Sequence, residues 1–146
     1  MKIIGVDVGG TKISAGLVHE EKIKRQAMLP TPFDRPQLEV VSSVIQAIEE
    51  VFDPSVSGIG IGVPGLVDLD EKQVLDVTNI PSWDSVPLAE LVSDHFNKPV
   101  YVNNDANCFA VGEKHFGKGK AYSNFVGLTL GTGAGAGIII NNHLYS

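Results

Sequence analysis

The sequence predicts an α/β fold with a mixed β-sheet, followed by the opening hairpin of a second, similar unit. Three observations support this prediction. Short β-rich runs alternate with amphipathic segments at helical spacing, many of the 16 glycines stand where apolar runs end, and the strand, glycine turn and strand near the amino terminus recur near residue 131. Alternating strands and helices are typical of α/β layer folds, and recurrence of one supersecondary unit indicates a repeated architecture.

Three strands are predicted within the first 30 residues. The β-rich runs cover residues 2–8, 13–18 and 23–29, and they are separated by Gly9-Gly10-Thr11 and His19-Glu20-Glu21. Turns this short join antiparallel neighbours. The sequence therefore predicts an antiparallel meander at the start of the sheet.

The next segment changes from strands to a helix and back. Apolar residues at helical spacing predict a helix over 38–52, with Pro36 suited to its first turn and Pro54 beyond its end. The apolar run 59–63 predicts a buried strand, and residues 66–77 predict an irregular hairpin with acidic residues at its turn.

A helix, a strand and another helix are predicted after this hairpin. The first helix covers 88–96 and is stopped by Pro99, the strand covers 100–102, and the last helix lies within 107–116. Together with the preceding elements, they complete the amino-terminal layer fold.

The run Gly117-Lys118-Gly119-Lys120 is typical of a linker, so a domain boundary is predicted there. It separates an amino-terminal domain, residues 1–118, from residues 119–146. The second segment carries two predicted strands, 125–130 and 137–141, around a glycine-rich turn. Because a lone hairpin is marginally stable in water, it is expected to open a second domain.

Composition excludes several classes of protein. With 146 residues, 43% of them hydrophobic, the chain can bury one modest core. Its net charge is −6 and its basic residues are scattered, which disfavours a nucleic-acid or membrane surface. The single cysteine, Cys108, permits no internal disulfide, so a cytoplasmic location is expected. No signal peptide, membrane span or protein metal site is predicted.

The segment from Gly5 to Lys12 places small residues at a tight turn between two strands. Backbone amides around Gly9 and Gly10 and the hydroxyl of Thr11 can point at anionic oxygens, so phosphate is the expected ligand. This is not a Walker A loop, because Thr11 separates the last glycine from Lys12 and a strand follows. An ordinary glycine hairpin is the alternative interpretation.

A second glycine-rich turn spans Gly131 to Gly137 and formally satisfies the G-x-G-x-x-A spacing of a dinucleotide-binding fingerprint. The residues that follow, Ile138-Ile139-Ile140, are β-branched strand formers, whereas that fingerprint requires a helix. A second phosphate-binding hairpin is therefore predicted, with a glycine-rich turn between packed strands as the alternative.

Asn104 and Asp105 stand between a buried strand and a helix, where α/β folds place ligands. The helix dipole favours an ionised carboxylate there, and such a group can accept the proton of a hydroxyl that attacks a phosphoryl group. Asn104 can bind neighbouring hydroxyls. The alternative is that one of the two residues only caps the helix.

Two further turns complete the candidate site. Gly65 ends a rigid Gly-Val-Pro-Gly turn after the strand over 59–63, and its backbone could face a small polar ligand. Asn79 could offer an amide, and Trp83 an aromatic wall. A plain turn and a packed tryptophan are the alternatives.

Five segments occur in the order and spacing of one family: Asp7 to Lys12, Gly62 to Gly65, Asn79 to Trp83, Asn103 to Asn107, and Leu130 to Gly133. By these segments, the chain resembles the amino-terminal half of a ROK-family sugar kinase, similar to bacterial glucokinases and fructokinases. The resemblance covers essentially the whole chain, and the combination of segments is more specific than any one of them.

The resemblance implies the actin-like, ribonuclease H-like ATPase fold, with ATP and Mg²⁺ as cofactors. It implies that Asp105 is the catalytic base and that Asn104, Asn79 and the backbone near Gly65 hold sugar hydroxyls. Asp7 would be an outer-shell partner of Mg²⁺. The implied phosphate-loop residues are Gly9, Gly10, Thr11 and Lys12 in the first loop and Gly131, Thr132 and Gly133 in the second.

The leading hypothesis is ATP-dependent phosphorylation of a hexose hydroxyl by the complete protein, with sugar, ATP and further copies in a homo-oligomer as partners. The family's later Glu-x-Gly-His and cysteine-rich zinc segments have no counterpart here, so the isolated chain is expected to be inactive. The same omission favours the alternative, a non-catalytic sugar-binding or interaction module. Regulators of the family carry a helix-turn-helix before the first loop, and its absence disfavours a repressor.

Overall fold

The structure is a computed structural model that describes residues 1–70, 72–131 and 133–145. Internal contacts divide the chain into two compact units, Met1–Asn103 and Asn104–Ser146. The sequence places a domain boundary after residue 118 instead. That assignment of domains in the parent protein stays a prediction.

The first unit begins with the predicted strands and helices. In chain order it contains β1 (Lys2–Val8), β2 (Lys12–His19), β3 (Lys22–Pro30), α1 (Gln37–Val51), β4 (Ile59–Val63), β5 (Leu66–Asp68), β6 (Gln73–Leu75), β7 (Ser85–Val86), α2 (Leu88–Phe96) and β8 (Val100–Asn104). Helix α1 starts and ends one residue before its predicted bounds, and α2 matches its prediction.

The main sheet has five strands in the order β3-β2-β1-β4-β8. Strand β1 is antiparallel to β2, β2 is antiparallel to β3, and β1 is parallel to β4. The predicted meander and mixed sheet are therefore confirmed. Because β1 and β4 run in the same direction, the loops that follow Val8 and Val63 leave the sheet at the same edge.

The packing of the first unit determines which side chains of β1 are buried and which are exposed. Ile4, Val6 and Val8 are buried, and α1 packs against the strands of this sheet. Asp7 lies between two of these apolar residues and is exposed, because successive side chains of a strand point to opposite faces. Asp7 is also the second-last residue of β1, so its exposed carboxylate lies close to the first glycine loop.

A smaller sheet has the strand order β5-β6-β7. Strands β5 and β6 form the predicted hairpin within 66–77. Strand β7 was not predicted, because two residues are too few to show an alternating pattern. Its pairing with β6 turns residues 76–84 into a closed loop.

The second unit packs one helix on a small antiparallel sheet. It contains α3 (Asp105–Phe116), a 3₁₀ turn (Lys118–Ala121), β9 (Phe125–Leu130), β10 (Ala134–Ile140) and β11 (His143–Tyr145). The strand order is β11-β10-β9, and α3 contacts β9 and β10. The tail is therefore more than a lone hairpin. Strand β10 starts three residues before its predicted bound, and β11 was not predicted.

The linker prediction for Gly117 to Lys120 is wrong. The carboxylate of Glu113 accepts a hydrogen bond from the Lys118 amide over 3.0 Å. Lys114 donates through Nζ to the Tyr122 carbonyl over 2.8 Å, and Gly119 is buried. Side chains of α3 thus hold this segment as an ordered turn, which its composition alone did not reveal. No helix within the described residues has the length and apolarity to cross a membrane.

Candidate functional site

The first glycine loop is held by a buried threonine. The Thr31 hydroxyl donates to the Gly9 carbonyl over 2.7 Å, and the Thr31 amide donates to the Thr11 carbonyl over 3.0 Å. Within the loop, the Gly9 amide donates to the Lys12 carbonyl over 2.8 Å. Three carbonyl oxygens of the loop are therefore occupied by intrachain donors. The loop is a supported turn between β1 and β2.

Thr31 was missed by sequence reasoning. It stands between Pro30 and Pro32 at the end of β3, and it is only 5% exposed. Its local signal was a threonine between two prolines directly after a strand, which is too common a pattern to be specific. Its function becomes visible only when β3 lies beside β2 in the sheet.

The donor groups of the same loop are open. Among the described residues, no hydrogen bond joins the amide of Gly10 or Thr11 to another group of the chain. Thr11 and Lys12 are exposed. Successive unpaired backbone amides can bind an anion where they converge on one side of a turn.

Gly65 is glycine because the β5–β6 hairpin passes against it. A Cβ at this position would lie 2.7 Å from Val77 Cγ2 and 2.9 Å from the Leu75 carbonyl oxygen. Real Cβ atoms do not approach other atoms so closely. The turn after β4 is therefore packed directly on the segment that leads to Asn79.

The loop that carries Asn79 is closed by backbone hydrogen bonds. The amides of Ile80 and Trp83 donate to the carbonyls of Val77 and Ile80, each over 2.9 Å. Ile80 and Trp83 are buried in the core, whereas Asn79 is exposed at the tip. Trp83 is thus a packing residue, and its interpretation as an aromatic wall is wrong.

Asn79 lies against the first glycine loop. A Cβ on Gly10 would stand 2.7 Å from Asn79 Cβ and 3.3 Å from Asn79 Cγ. The structure therefore brings together two predicted site residues that are 69 positions apart in the chain. Gly65 belongs to the same set of loops through its contact with Val77.

In the second unit, Asn104 and Asp105 start helix α3. Asn104 is the N-cap, and its Oδ1 accepts a hydrogen bond from the Ala106 amide over 3.0 Å. Oδ1 of Asp105 accepts from the same amide over 2.7 Å, and the Asp105 side chain is exposed. Asn104 thus does cap the helix, as its alternative interpretation held. The roles of both residues toward a ligand stay predictions.

The glycines of β9, β10 and the loop between them include two that pack against α3 and two that do not. Gly131 and Gly133 have no atom within 4 Å of the place where a Cβ would stand. Gly127 and Gly137, in contrast, lie against Ala110 of α3, where a Cβ would come within 3.2 and 2.6 Å of the alanine Cβ. Packing therefore explains the strand glycines and leaves the backbone at Gly131 and Gly133 open. Thr132 lies outside the described residues.

The described residues contain no group of three or more histidine, cysteine, aspartate or glutamate side chains that could hold a metal ion by themselves. A metal at this site would need oxygen atoms from a ligand. Asp7 is the exposed carboxylate next to the first loop.

The five-stranded mixed sheet, the supported glycine loop at its edge, and a second unit in which strands β9 and β10 follow helix α3 are the features of an actin-like ATPase fold. The chain belongs to the ROK family, whose sequence profile matches residues 3–146. The family resemblance predicted from the sequence is thereby confirmed.

Relatives in the family include kinases and a regulator. The chain is 39% identical over 146 residues to the glucokinase of Thermotoga maritima, covering 99% of this chain and 46% of that protein. It is 35% identical over 151 residues to the xylose repressor of Caldicellulosiruptor bescii, covering 98% of this chain and 37% of the repressor.

A solved relative has the same fold. The crystal structure of a ROK family glucokinase from Streptomyces griseus, in complex with glucose and AMPPNP, matches with a TM-score of 0.89 at 40% identity. The match covers 99% of this chain and 46% of that chain. The chain therefore spans about half the length of the glucokinases it matches.

Proposed function

We propose that the chain is the amino-terminal part of an ATP-dependent hexose kinase, which transfers the γ-phosphoryl group of ATP to a sugar hydroxyl. The first glycine loop carries the proposal, because its carbonyls are tied to Thr31, its Gly10 and Thr11 amides are open among the described residues, and Asn79 lies on it. Open amides suit a phosphoryl group, and a carboxamide suits a hydroxyl. The similarity to two glucokinases supports this reaction.

ATP would be held by both glycine loops. In the first loop, the backbone of Gly9 and Gly10, the Thr11 hydroxyl and the Lys12 ammonium would contact phosphoryl oxygens. In the second loop, Gly131 and Gly133 let a ligand approach the backbone directly, because no neighbouring atom stands over them. Thr132, the residue between these two in the sequence, is proposed as a further member of this loop on the family resemblance alone. Because phosphoryl transfer depends mainly on positioning and on charge stabilisation, such loops are the central catalytic groups.

Mg²⁺ fits this donor set. The ion is usually held by one or two carboxylates together with phosphate oxygens and several waters. Asp7, exposed at the end of β1, would act in its outer shell. When bound, Mg²⁺ screens the charge of the polyphosphate and polarises the leaving group.

Asp105 would be the general base. Its carboxylate is exposed at the first position of α3. It would accept the proton of the sugar hydroxyl as that oxygen attacks the γ-phosphorus. Asn104, Asn79 and the backbone near Gly65 would hold the sugar by its hydroxyls.

The proposed setting is the cytoplasm, where hexose and ATP are available, and the proposed assembly is a homo-oligomer. Nucleic acid is not among the proposed partners. A net charge of −6 opposes binding to a phosphate backbone.

The test is ADP release by the complete protein with a panel of glucose, fructose, mannose and N-acetylglucosamine. We expect turnover with at least one sugar. The isolated chain should show negligible turnover, because phosphoryl transfer requires both substrates to be oriented in a closed, dry site. A complete protein that phosphorylated no sugar would contradict the kinase proposal. Robust turnover by the isolated chain would contradict the proposal that this chain is only one part of the enzyme.

A second candidate function is a non-catalytic sugar-binding module. The similarity to a xylose repressor over 98% of this chain favours it. The two functions differ in one measurement. A binding module would take up sugar in a calorimetric titration without ATP and would release no ADP when ATP is added, whereas a kinase would release ADP in proportion to the sugar consumed.

A further inference from the structure

The contact between Asn79 and Gly10 explains why residue 10 is glycine. The structure describes no glycine with a positive φ, so the backbone at Gly10 does not itself require glycine. The requirement comes from Asn79, whose Cβ would lie 2.7 Å from a Cβ at position 10. The side chain of one loop thus occupies the space that a side chain on the other loop would need.

Both partners of this contact are held in place. On one side, Thr31 binds the carbonyls on either side of Gly10, over 2.7 and 3.0 Å. On the other side, two hydrogen bonds of 2.9 Å and the buried side chains of Ile80 and Trp83 fix the loop around Asn79. Because neither loop can move without breaking buried contacts, the distance between them is set by the fold.

We propose that Asn79 is a positioning residue that couples the phosphate loop to the sugar site, an inference that rests on the proposed kinase function. A carboxamide has an oxygen that accepts and a nitrogen that donates two hydrogen bonds. It can therefore accept from a sugar hydroxyl and donate to a phosphoryl oxygen at the same time. Reaction requires the attacking and accepting atoms to be about 3–3.5 Å apart, and a shared side chain sets that separation.

This arrangement has a thermodynamic consequence. The backbone around Asn79 is fixed but its side chain is exposed, so a ligand that binds the carboxamide first orders it for the second ligand. If Asn79 contacts both ligands, sugar then raises the affinity for nucleotide and nucleotide raises the affinity for sugar by the same factor. A residue that contacted sugar alone would influence only the sugar. The coupling can therefore be measured separately from the affinity for either ligand.

The first test is Asn79→Ala in the complete protein. We expect KM to rise for both the sugar and ATP, because one side chain contacts both ligands. The factor by which bound nucleotide lowers the Kd for the sugar in a calorimetric titration should also fall by about fivefold or more, the usual lower limit of a coupling effect. An increase in KM for the sugar alone would overturn the inference and would leave the kinase proposal intact. A wild-type protein that phosphorylates no sugar would overturn both, and this result is obtained before any variant is made.

A matched pair of glycine variants gives an independent test. Gly10→Ala should raise KM for the sugar, although Gly10 itself belongs to the phosphate loop, because the added methyl group displaces Asn79. Gly9→Ala is the control, since its Cβ would meet only the Lys12 carbonyl oxygen of the same loop, at 3.1 Å. It should change KM for ATP and leave KM for the sugar unchanged. Equal effects of the two variants on KM for the sugar would overturn the inference.

The double variant Gly10→Ala with Asn79→Gly completes the cycle. Without the Asn79 side chain the new methyl group has room, so the double variant should have the same KM for the sugar as Asn79→Gly alone. Residues in contact are non-additive in this way, whereas independent residues add. Additive effects would overturn the inference. If Gly10→Ala does not fold, Asn79→Ala decides the question by itself.

Discussion

The side-chain hydroxyl of Thr31 donates a 2.7 Å hydrogen bond to the backbone carbonyl of Gly9. This bond joins the end of β3 to the loop between β1 and β2. Together with the other bonds of the loop, it satisfies the loop carbonyls within the chain, while the Gly10 and Thr11 amides have no hydrogen-bond partner among the described residues. A threonine that belongs to no recognisable motif thus supports the first glycine loop.

The Thr31 bond can be tested with an isosteric substitution. Thr31→Val keeps the shape of the side chain and removes the donor, so the Gly9 carbonyl loses its partner at a cost of about 1 kcal/mol. We expect Tm to fall by about 2–4 °C for a chain of this size, and KM for ATP to rise in the complete protein. Thr31→Ser keeps the hydroxyl and is the control. Equal losses in the two variants would show that packing, and not the hydrogen bond, matters at this position.

Asp105→Asn tests the proposed base. The variant keeps the size of the side chain but cannot accept a proton, so turnover in the complete protein should fall by about 10²–10⁴-fold, with KM for the sugar much less changed. Single-turnover and steady-state assays measure the two effects. Full turnover combined with a lower Tm would instead show that Asp105 only stabilises the start of α3.

Two methyl additions in the second unit should have opposite effects. Gly137→Ala places a Cβ on the Ala106 carbonyl and 2.6 Å from Ala110 Cβ, so it should destabilise the second unit by about 1–3 kcal/mol. Gly112→Ala adds the same group to α3, where no atom outside the helix backbone lies within 4 Å. It should stabilise the helix by up to about 1 kcal/mol. Denaturant titrations of both variants measure the difference, and effects of the same sign would contradict the packing described here.

The ion cluster around Asp53 predicts a pH dependence of stability. Lys2 Nζ donates to Asp53 over 2.8 Å, and Ser55 donates through its amide and hydroxyl over 2.9 and 2.6 Å. These bonds, that of Lys2 first, hold the pKa of Asp53 well below its usual range. A carboxyl group with a lowered pKa stabilises the fold above its unfolded pKa of about 4, and this contribution is lost as the pH falls further.

Asp53→Asn should therefore have a lower Tm than wild type at pH 7, and the difference should shrink below about pH 4. Melting curves of both proteins from neutral to acid pH provide the measurement. Lys2→Met removes the main partner of Asp53, so it should also lower Tm at pH 7, with a smaller difference from wild type below about pH 4. A difference in Tm that stayed constant over this whole pH range would rule out an effect of the Asp53 charge.

The exposed side of the small sheet predicts self-association of the isolated chain. Val126, Leu128 and Leu130 alternate along β9 and are 60, 58 and 77% exposed. An apolar strand face of this kind favours pairing between copies. Light scattering should show a dimer or larger species, and the double variant Leu128→Lys with Leu130→Lys should be monomeric.

This pair of substitutions is a better test than truncation after Lys118. Removal of residues 119–146 would uncover the side of α3 that packs on Gly127 and Gly137. Truncation would therefore create one apolar surface while it removed another. If wild type and the double variant had the same molecular mass in solution, association through β9 would be contradicted.

The sequence by itself determined the elements that depend on neighbouring residues. The meander, helix α2 and the strand Ile59–Val63 were predicted because apolar periodicity, short turns and proline positions are local signals. The family was also predicted from the sequence, since five short segments in fixed order are rare in combination. Strands β7 and β11 escaped prediction because two or three residues show no period.

Only the tertiary structure decided which glycines are required by packing and which have open space around them. Gly127 and Gly137 look the same in the sequence as Gly131 and Gly133, yet only the first pair lies against α3. The ordered turn after α3 depends on Glu113, which lies in the helix before it. A glycine in the sequence shows that no side chain is present at that position. It does not show whether a neighbouring atom or open space lies there.

The contacts of the first glycine loop were likewise decided by tertiary structure. Thr31 meets Gly9 because β3 pairs with β2, and Asn79 meets Gly10 because the loop closed by β6 and β7 reaches that edge of the first unit. Each contact joins residues more than 20 positions apart. Local sequence carries the preference of a segment for strand or turn, whereas such contacts depend on strand register and packing, which are settled only when the whole unit has folded.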